Sequence, residues 1–177
     1  MASIIKANQL QDFGGNSIIT SDGSGTVTVN SAQMKNTPMF AATGASNAIS
    51  ATTYVKAQNG TELFDTDNCY DNSSNYRFTP NVAGKYYLSN RISVTPDSAM
   101  SYFFVAIYKN GSRIAEMHQR FAGDDISANY YSSEMSMIAE ANGSSDYFEA
   151  YVYMRQAGDF RSTSGENLFS GYRIIGA

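Results

Sequence analysis

The sequence predicts an all-β chain, a sandwich or jelly roll of about eight to ten strands. Three observations lead there. Tyr (13) and Phe (10) are abundant beside many Val, Ile and Thr, the residues that fit a pleated surface. Apolar residues recur with period two in several runs, and helix signals are nearly absent. Asp22-Gly23, Asn59-Gly60, Asn110-Gly111 and Asn142-Gly143 punctuate the chain, each a dipeptide that favours the positive φ of a tight hairpin turn.

Composition narrows the class. A chain of 177 residues suggests one domain with an appendage, long enough to bury a core without disulfide or metal staples. Hydrophobic residues make up 42% and charged residues 16%, a charged share below the usual ~25%. Such a chain folds, and Ser, Thr, Asn, Gly and Tyr must cover its surface. That surface suits a rigid extracellular-type object better than a cytosolic enzyme. The net charge is -4 and the twelve basic residues are scattered, so no nucleic-acid partner is expected. Met1 to Gln9 lacks a signal-peptide pattern, and no apolar run approaches the ~20 residues of a membrane span, so no membrane insertion is expected. Cys69 is the single cysteine; it is either a small buried hydrophobe, the favoured reading, or pairs with a copy in another subunit.

Residues 1–37 form an arm distinct from the domain at 38–177: polar, Gly-rich and free of aromatics except Phe13. Ser17–Thr20 and Thr26–Asn30 can pair as a small hairpin across residues 21–25. A lone hairpin is marginal in water, so the arm must lie on its own domain, a neighbouring subunit or another protein. Ile4, Ile5, Leu10, Phe13, Ile18, Ile19, Val27 and Val29 are its apolar candidates for attachment.

In the domain, Tyr86–Val94 places Tyr86, Leu88, Asn90, Ile92 and Val94 on one face. Met100–Tyr108 is apolar on both faces, as a central strand is. Ser127–Ala139 and Asp146–Arg155 follow. In the latter Phe148, Ala150, Val152 and Met154 share one face, and Tyr147, Tyr151 and Tyr153 the other, beside Glu149 and Arg155. Aromatic residues on both faces predict a core on one side and a subunit contact on the other. Leu168–Ile175 is the last strand.

Tyr76-Arg77-Phe78-Thr79-Pro80-Asn81-Val82-Ala83-Gly84-Lys85-Tyr86-Tyr87 resembles the signature of the complement-one-q globular head. Val105–Gly111, Asp146–Val152 and Phe169–Ile174 fit the same family in order, and Pro38–Ala42 is similar to its first strand. The resemblance covers residues 38–177. It implies a ten-stranded jelly roll of the tumour-necrosis-factor superfamily and a homotrimer with aromatic residues near the three-fold axis. Tyr86, Tyr102, Phe104, Tyr147, Tyr151 and Tyr153 are the trimer-interface candidates. A collagen stalk, usual in secreted members, is missing. The arm, Ile18 to Thr28, instead resembles the arms of bacteriophage virion proteins.

The chemistry-bearing residues form no catalytic set, so no enzyme is expected. His118 is the only histidine, and no Gly-x-Ser-x-Gly elbow accompanies it. Gly23-Ser24-Gly25 lacks the following helix of a phosphate loop. Glu134 and Glu149 are the one carboxylate pair to consider for glycoside hydrolysis. Asp65-Thr66-Asp67-Asn68-Cys69-Tyr70-Asp71 has alternating oxygen ligands, and Asp124-Asp125 is a second acidic corner. Ca²⁺ enters through the resemblance, but Cys69 and Tyr70 break the loop pattern, so no cofactor is expected.

These readings predict a phage virion protein, made in the host cytoplasm and displayed on the particle surface. It would be a trimeric capsid decoration (cement) protein whose arm holds the major capsid protein or another virion protein. The alternative is the receptor-binding head of a tail fibre, recognising a host surface glycan or protein through loops Gly123–Tyr130 and Gly158–Gly165.

Overall fold

The N-terminal segment folds as its turn residues dictate. A computed structural model of the chain describes residues 7–31, 34–121, 130–162 and 165–176. Within it β1 (Gln9–Gln11), β2 (Ser17–Ser21) and β3 (Val27–Val29) form an antiparallel sheet in that order. The β2–β3 hairpin is the one read from sequence, with Ile19 opposite Val29 and Thr20 opposite Thr28. Asp22 closes it: its Oδ1 accepts the Ser24 N–H at 2.7 Å and the Thr26 N–H at 3.2 Å. Asp12 does the same for the β1–β2 turn, accepting the Asn16 N–H at 2.9 Å. β1, at three residues, carries too short a pattern to be legible in the sequence. The chain divides into two compact units, residues up to Asn36 together with the C-terminal end from Ile175, and Thr37–Ile174.

The second unit is a sandwich of two antiparallel sheets. The first sheet holds β4 (Met39–Thr43), β5 (Ala48–Ile49), β7 (Thr61–Asp65), β10 (Ala83–Pro96), β13 (Tyr131–Asn142), β15 (Gly158–Phe160) and β16 (Leu168–Arg173). Its order is β5-β15-β10-β16-β4-β7, with β13 on the other edge of β10. The second holds β6 (Tyr54–Lys56), β8 (Tyr70–Asp71), β9 (Arg77–Phe78), β11 (Tyr102–Lys109), β12 (Ser112–Arg120) and β14 (Phe148–Met154). Its order is β12-β11-β14-β9-β8, with β6 also on β14. The chain crosses repeatedly between the sheets, with β10 in the first, β11 and β12 in the second, β13 back in the first and β14 in the second, as in a jelly roll. There is no α-helix among the described residues.

The period-two faces match. Tyr86, Leu88, Asn90, Ile92 and Val94 are all fully buried between the sheets, as are Phe148, Val152 and Met154. One aromatic cluster organises this core: Phe40 stacks on Phe78 at 4.3 Å and on Tyr70 at 5.0 Å, and meets Phe169 edge-on at 5.0 Å. Two asparagines cross it. Asn167 accepts the Ser93 N–H at 2.8 Å and donates to the Arg161 and Ala45 carbonyls at 2.6 and 3.2 Å. Asn90 of the first sheet donates to the Ala106 carbonyl of the second at 2.8 Å.

Several boundaries and turns differ from the sequence reading. Asn110-Gly111 makes the expected two-residue hairpin, at φ 52 and 76, and launches β12, a strand whose few apolar residues give no period-two signal. Asn59-Gly60 makes no such turn. Asn59 is fully buried and accepts the Ala45 N–H, and the segment carries the chain from one sheet to the other. The last strand stops at Arg173, not Ile175. Gly158–Phe160, read as part of a loop, pairs with β10. Of that loop, residues 163 and 164 lie outside the described residues, as do 123–129 of the other candidate loop, Asp124-Asp125 and the start of the strand placed at Ser127.

Gly143, after β13, has φ +73, and a Cβ there would stand 2.2 Å from the Ala83 amide nitrogen. Gly143→Ala is expected to cost more than the ~1–2 kcal/mol of a left-handed backbone alone, since backbone atoms cannot yield. The urea midpoint of the variant measures it; an unchanged midpoint would refute the close approach.

Candidate interaction surfaces

In the arm, register decides which side chains share a side. Leu10 lies opposite Ile19, Ile19 opposite Val29, and Ser21 opposite Val27. Alternation therefore places Leu10, Ile19, Val27 and Val29 on one face and Ile18, Thr20 and Thr28 on the other. Leu10 is 55% exposed, Val27 57%, and Phe13 at the β1–β2 turn is fully exposed. Ile4 and Ile5 lie outside the described residues.

In the head, the six trimer-interface candidates separate into three groups. Tyr102, Phe104, Tyr151 and Tyr153 come together on the outer face of β11 and β14. A cross-strand ladder runs Tyr54, Tyr153, Phe104, His118, with ring spacings of 5.0, 5.3 and 3.9 Å. Tyr102 stacks on Phe104 at 5.1 Å, and Tyr108 on Tyr151 at 4.0 Å. Tyr147 stands apart, under the Arg77 guanidinium at 4.4 Å. Tyr86 is not on a surface at all. Its even position on β10 faces the core, where its ring meets Phe78 at 5.6 Å and its hydroxyl donates to the Val82 carbonyl at 2.6 Å. The sequence could have flagged this, because Tyr86 shares its face with Leu88 and Ile92.

Polar groups edge the aromatic face. Tyr54 donates to Glu116, Arg113 donates to the Tyr54 oxygen, and His118 Nε2 lies 2.9 Å from Glu116 Oε1. Burial pushes Glu116 up, but hydrogen bonds from Tyr54 and His118 and the Arg113 charge outweigh it and hold the carboxyl below its usual value. Burial and then the Glu116 hydrogen bond push Tyr54 up to about 12. Burial and then the Glu149 charge push Tyr151 to about 12 as well. Both folded values exceed the ordinary 10.0, so the neutral rings contribute stability that is complete below pH 10 and lost as pH climbs through 12. Tyrosinate absorbance followed with circular dichroism should show late-titrating tyrosines and unfolding in that window; uniform titration near 10 with the fold intact would contradict it.

The first sheet presents a different outer face. Met39 lies opposite Tyr172, Tyr172 opposite Tyr87, and Tyr87 opposite Ile138, so one apolar row crosses four strands. Ile138 is 58% and Tyr172 43% exposed. Next to it Ala41, Ser170, Ser89 and Ser136 form a row of small side chains. The β12 edge leaves Met117 47% exposed.

The remaining candidates are accounted for locally. Glu149 pairs with Lys56 at 2.5 Å on the outer face of the second sheet. Glu134 accepts from Ser89 at 2.8 Å on the outer face of the first, so the two carboxylates point to opposite sides of the sandwich and cannot act as a glycosidase pair. Asp65 accepts the Tyr70 N–H at 2.6 Å, and Asp71 the N–H groups of Ser73, Ser74 and Asn75 at 2.9–3.1 Å. Cys69 is buried at the margin of the core, and burial pushes its thiol up. Beside it, a cavity of about 510 Å³ opens between Asn68, Cys69, Asn72, Ser73, Arg77 and Thr79.

No family model matches the chain, and no curated protein matches it. Solved structures do. The chain is similar to the Eiger TNF of S. frugiperda at TM-score 0.58 and 6% identity, over 78% of this chain and 93% of that one. It is similar to murine APRIL at TM-score 0.55 and 10% identity, over 77% of this chain and 98% of that one. At such identities the likeness speaks for architecture alone: the head is a jelly roll of the tumour-necrosis-factor type.

Proposed function

We propose that the chain is a non-enzymatic structural protein of a bacteriophage particle, a homotrimeric decoration protein anchored to the shell by its N-terminal arm. One observation carries this reading. The arm's small sheet gathers Leu10, Ile19, Val27 and Val29 on one face and leaves Phe13 fully exposed. Three short strands gain little from pairing alone, so the apolar face contributes its ~25 cal/mol per Å² only when a partner covers it. The partner is the major capsid protein or another virion protein. Three arms per trimer let weak contacts add up.

The trimer contact is assigned to the outer face of the first sheet rather than to the Tyr102–Tyr153 group. That group is half-buried already and its polar atoms have partners. In the Met39–Tyr172–Tyr87–Ile138 row Tyr172 and Ile138 are exposed, Met39 and Tyr87 are half-buried, and the flanking residues are small enough to let another surface approach. The β12 edge with Met117 supplies a second apolar patch, and a face-to-edge contact repeated between copies makes a ring when its rotation is three-fold.

A second reading, the receptor-binding head of a tail fibre, draws on the polar cavity beside Cys69. Copy number in purified particles tests both. Quantitative mass spectrometry should find the protein in numbers comparable to the major capsid subunit. A few copies per particle would move it to the tail; none would refute the virion reading.

A further inference from the structure

We propose that the cavity beside Cys69 binds an acidic saccharide, with Arg77 holding the carboxylate. The argument starts from strand pairing. Asp71 of β8 and Arg77 of β9 are directly opposite each other, a placement that would ordinarily join them as an ion pair. They do not pair. Asp71 turns into its own loop, where Oδ1 accepts the Ser73 and Ser74 N–H groups and Oδ2 the Asn75 N–H and side-chain amide. Those donors hold the carboxyl far below its usual value. Arg77 lies instead over the Tyr147 ring, 4.4 Å from its centroid. Among the described residues its side chain makes no ion pair and no hydrogen bond. Arg91, Arg113 and Arg161, by contrast, each donate to an oxygen.

The half-buried guanidinium is thus fixed by stacking while its fork of N–H donors is uncommitted. It lines a cavity of about 510 Å³, within the range of small-molecule sites. The side chains around it are the amides of Asn68 and Asn72 and the hydroxyls of Ser73 and Thr79. Asp71, the one acid on the wall, already has both oxygens engaged by its loop. Ser73 Oγ donates to Asp71 at 3.4 Å, so the Arg77 fork is the one donor-only group left open on the wall, and the amides beside it can both donate and accept. A carboxylate suits the planar fork, and ring hydroxyls suit the amides. Tyr147, a poor fit to the aromatic face where the other tyrosines gather, has its place here as the support of Arg77.

This deepens the receptor reading above, but its test does not depend on where the protein sits in a particle. The purified full chain, ¹⁵N-labelled, is titrated with glucuronate, with glucose and inorganic sulfate as controls. Glucuronate should shift the amide signals of residues 68–79, glucose should not, and sulfate should bind at least tenfold more weakly. Arg77→Ala should weaken glucuronate at least tenfold, and Arg77→Lys should recover only part, because an ammonium lacks the fork. Cys69 is an independent reporter: as the only thiol in the chain it should alkylate more slowly with glucuronate present. Equal binding of sulfate, equal binding of glucose, or an Arg77→Ala variant that is folded and binds glucuronate normally would each overturn the proposal. Copy number decides between shell and fibre separately, so either idea can fail alone.

Discussion

Tyr172→Asp combined with Ile138→Asp is expected to turn the assembled protein into a folded monomer. Both side chains sit on the outer face of the first sheet, 43% and 58% exposed, in one row with Met39 and Tyr87. In a contact between copies they would lie at the centre of the buried patch, where aromatic anchors carry most of the binding energy. Two carboxylates at that centre must either leave water without partners or keep the copies apart, and separation costs less. In the protomer both positions face away from the core, so the fold should persist. Light scattering reads the mass and circular dichroism the fold. Tyr153→Asp, on the outer face of the second sheet, is the control and should leave the assembly intact. A monomer from Tyr153→Asp and a trimer from the double variant would return the interface to the Tyr102–Tyr153 group.

Phe40→Ala should be the most damaging single truncation. Phe40 is fully buried, and its ring touches Tyr70 and Phe78 on the second sheet and Phe169 on its own. Removing it deletes the shared member of three ring pairs and opens a cavity that rigid strands on both sides cannot close. Truncations of this kind cost about 3–5 kcal/mol, against a total stability of about 5–15 kcal/mol for a domain. Tyr86→Phe is the informative contrast, because it keeps the ring and loses only the hydroxyl bond to Val82. It should cost about 0.5–1.5 kcal/mol. Urea unfolding of the two variants measures both. A Phe40→Ala midpoint no lower than that of Tyr86→Phe would mean the ring cluster does not organise the core.

What the sequence determined by itself was local. Period two on β10 and β14 separates Leu88, Ile92, Phe148 and Val152 from their outward neighbours, because successive side chains of a strand must point to opposite sides. Asn110-Gly111 specifies its hairpin through backbone conformation alone, and Asp22 closes the arm turn with its own side chain. Four short segments in order carried the resemblance to a jelly-roll head. Tertiary structure decided everything that depends on what covers a face. A strand's pattern defines two sides without saying which meets the other sheet, so the face that Tyr86 shares with Leu88 and Ile92 is fixed as core only once Phe78 is placed against it. Asn59 looks like a turn residue until the fold buries it and gives its side chain the Ala45 amide. Glu134 and Glu149 look like a pair until the sheets set them on opposite sides. Arg77 and Asp71 are six residues apart in the chain and opposite in the sheet, yet only the turn after β8 and the ring of Tyr147 determine that they stay separate. The physical reason is common to all four: alternation is a property of one strand, whereas burial and pairing are properties of two.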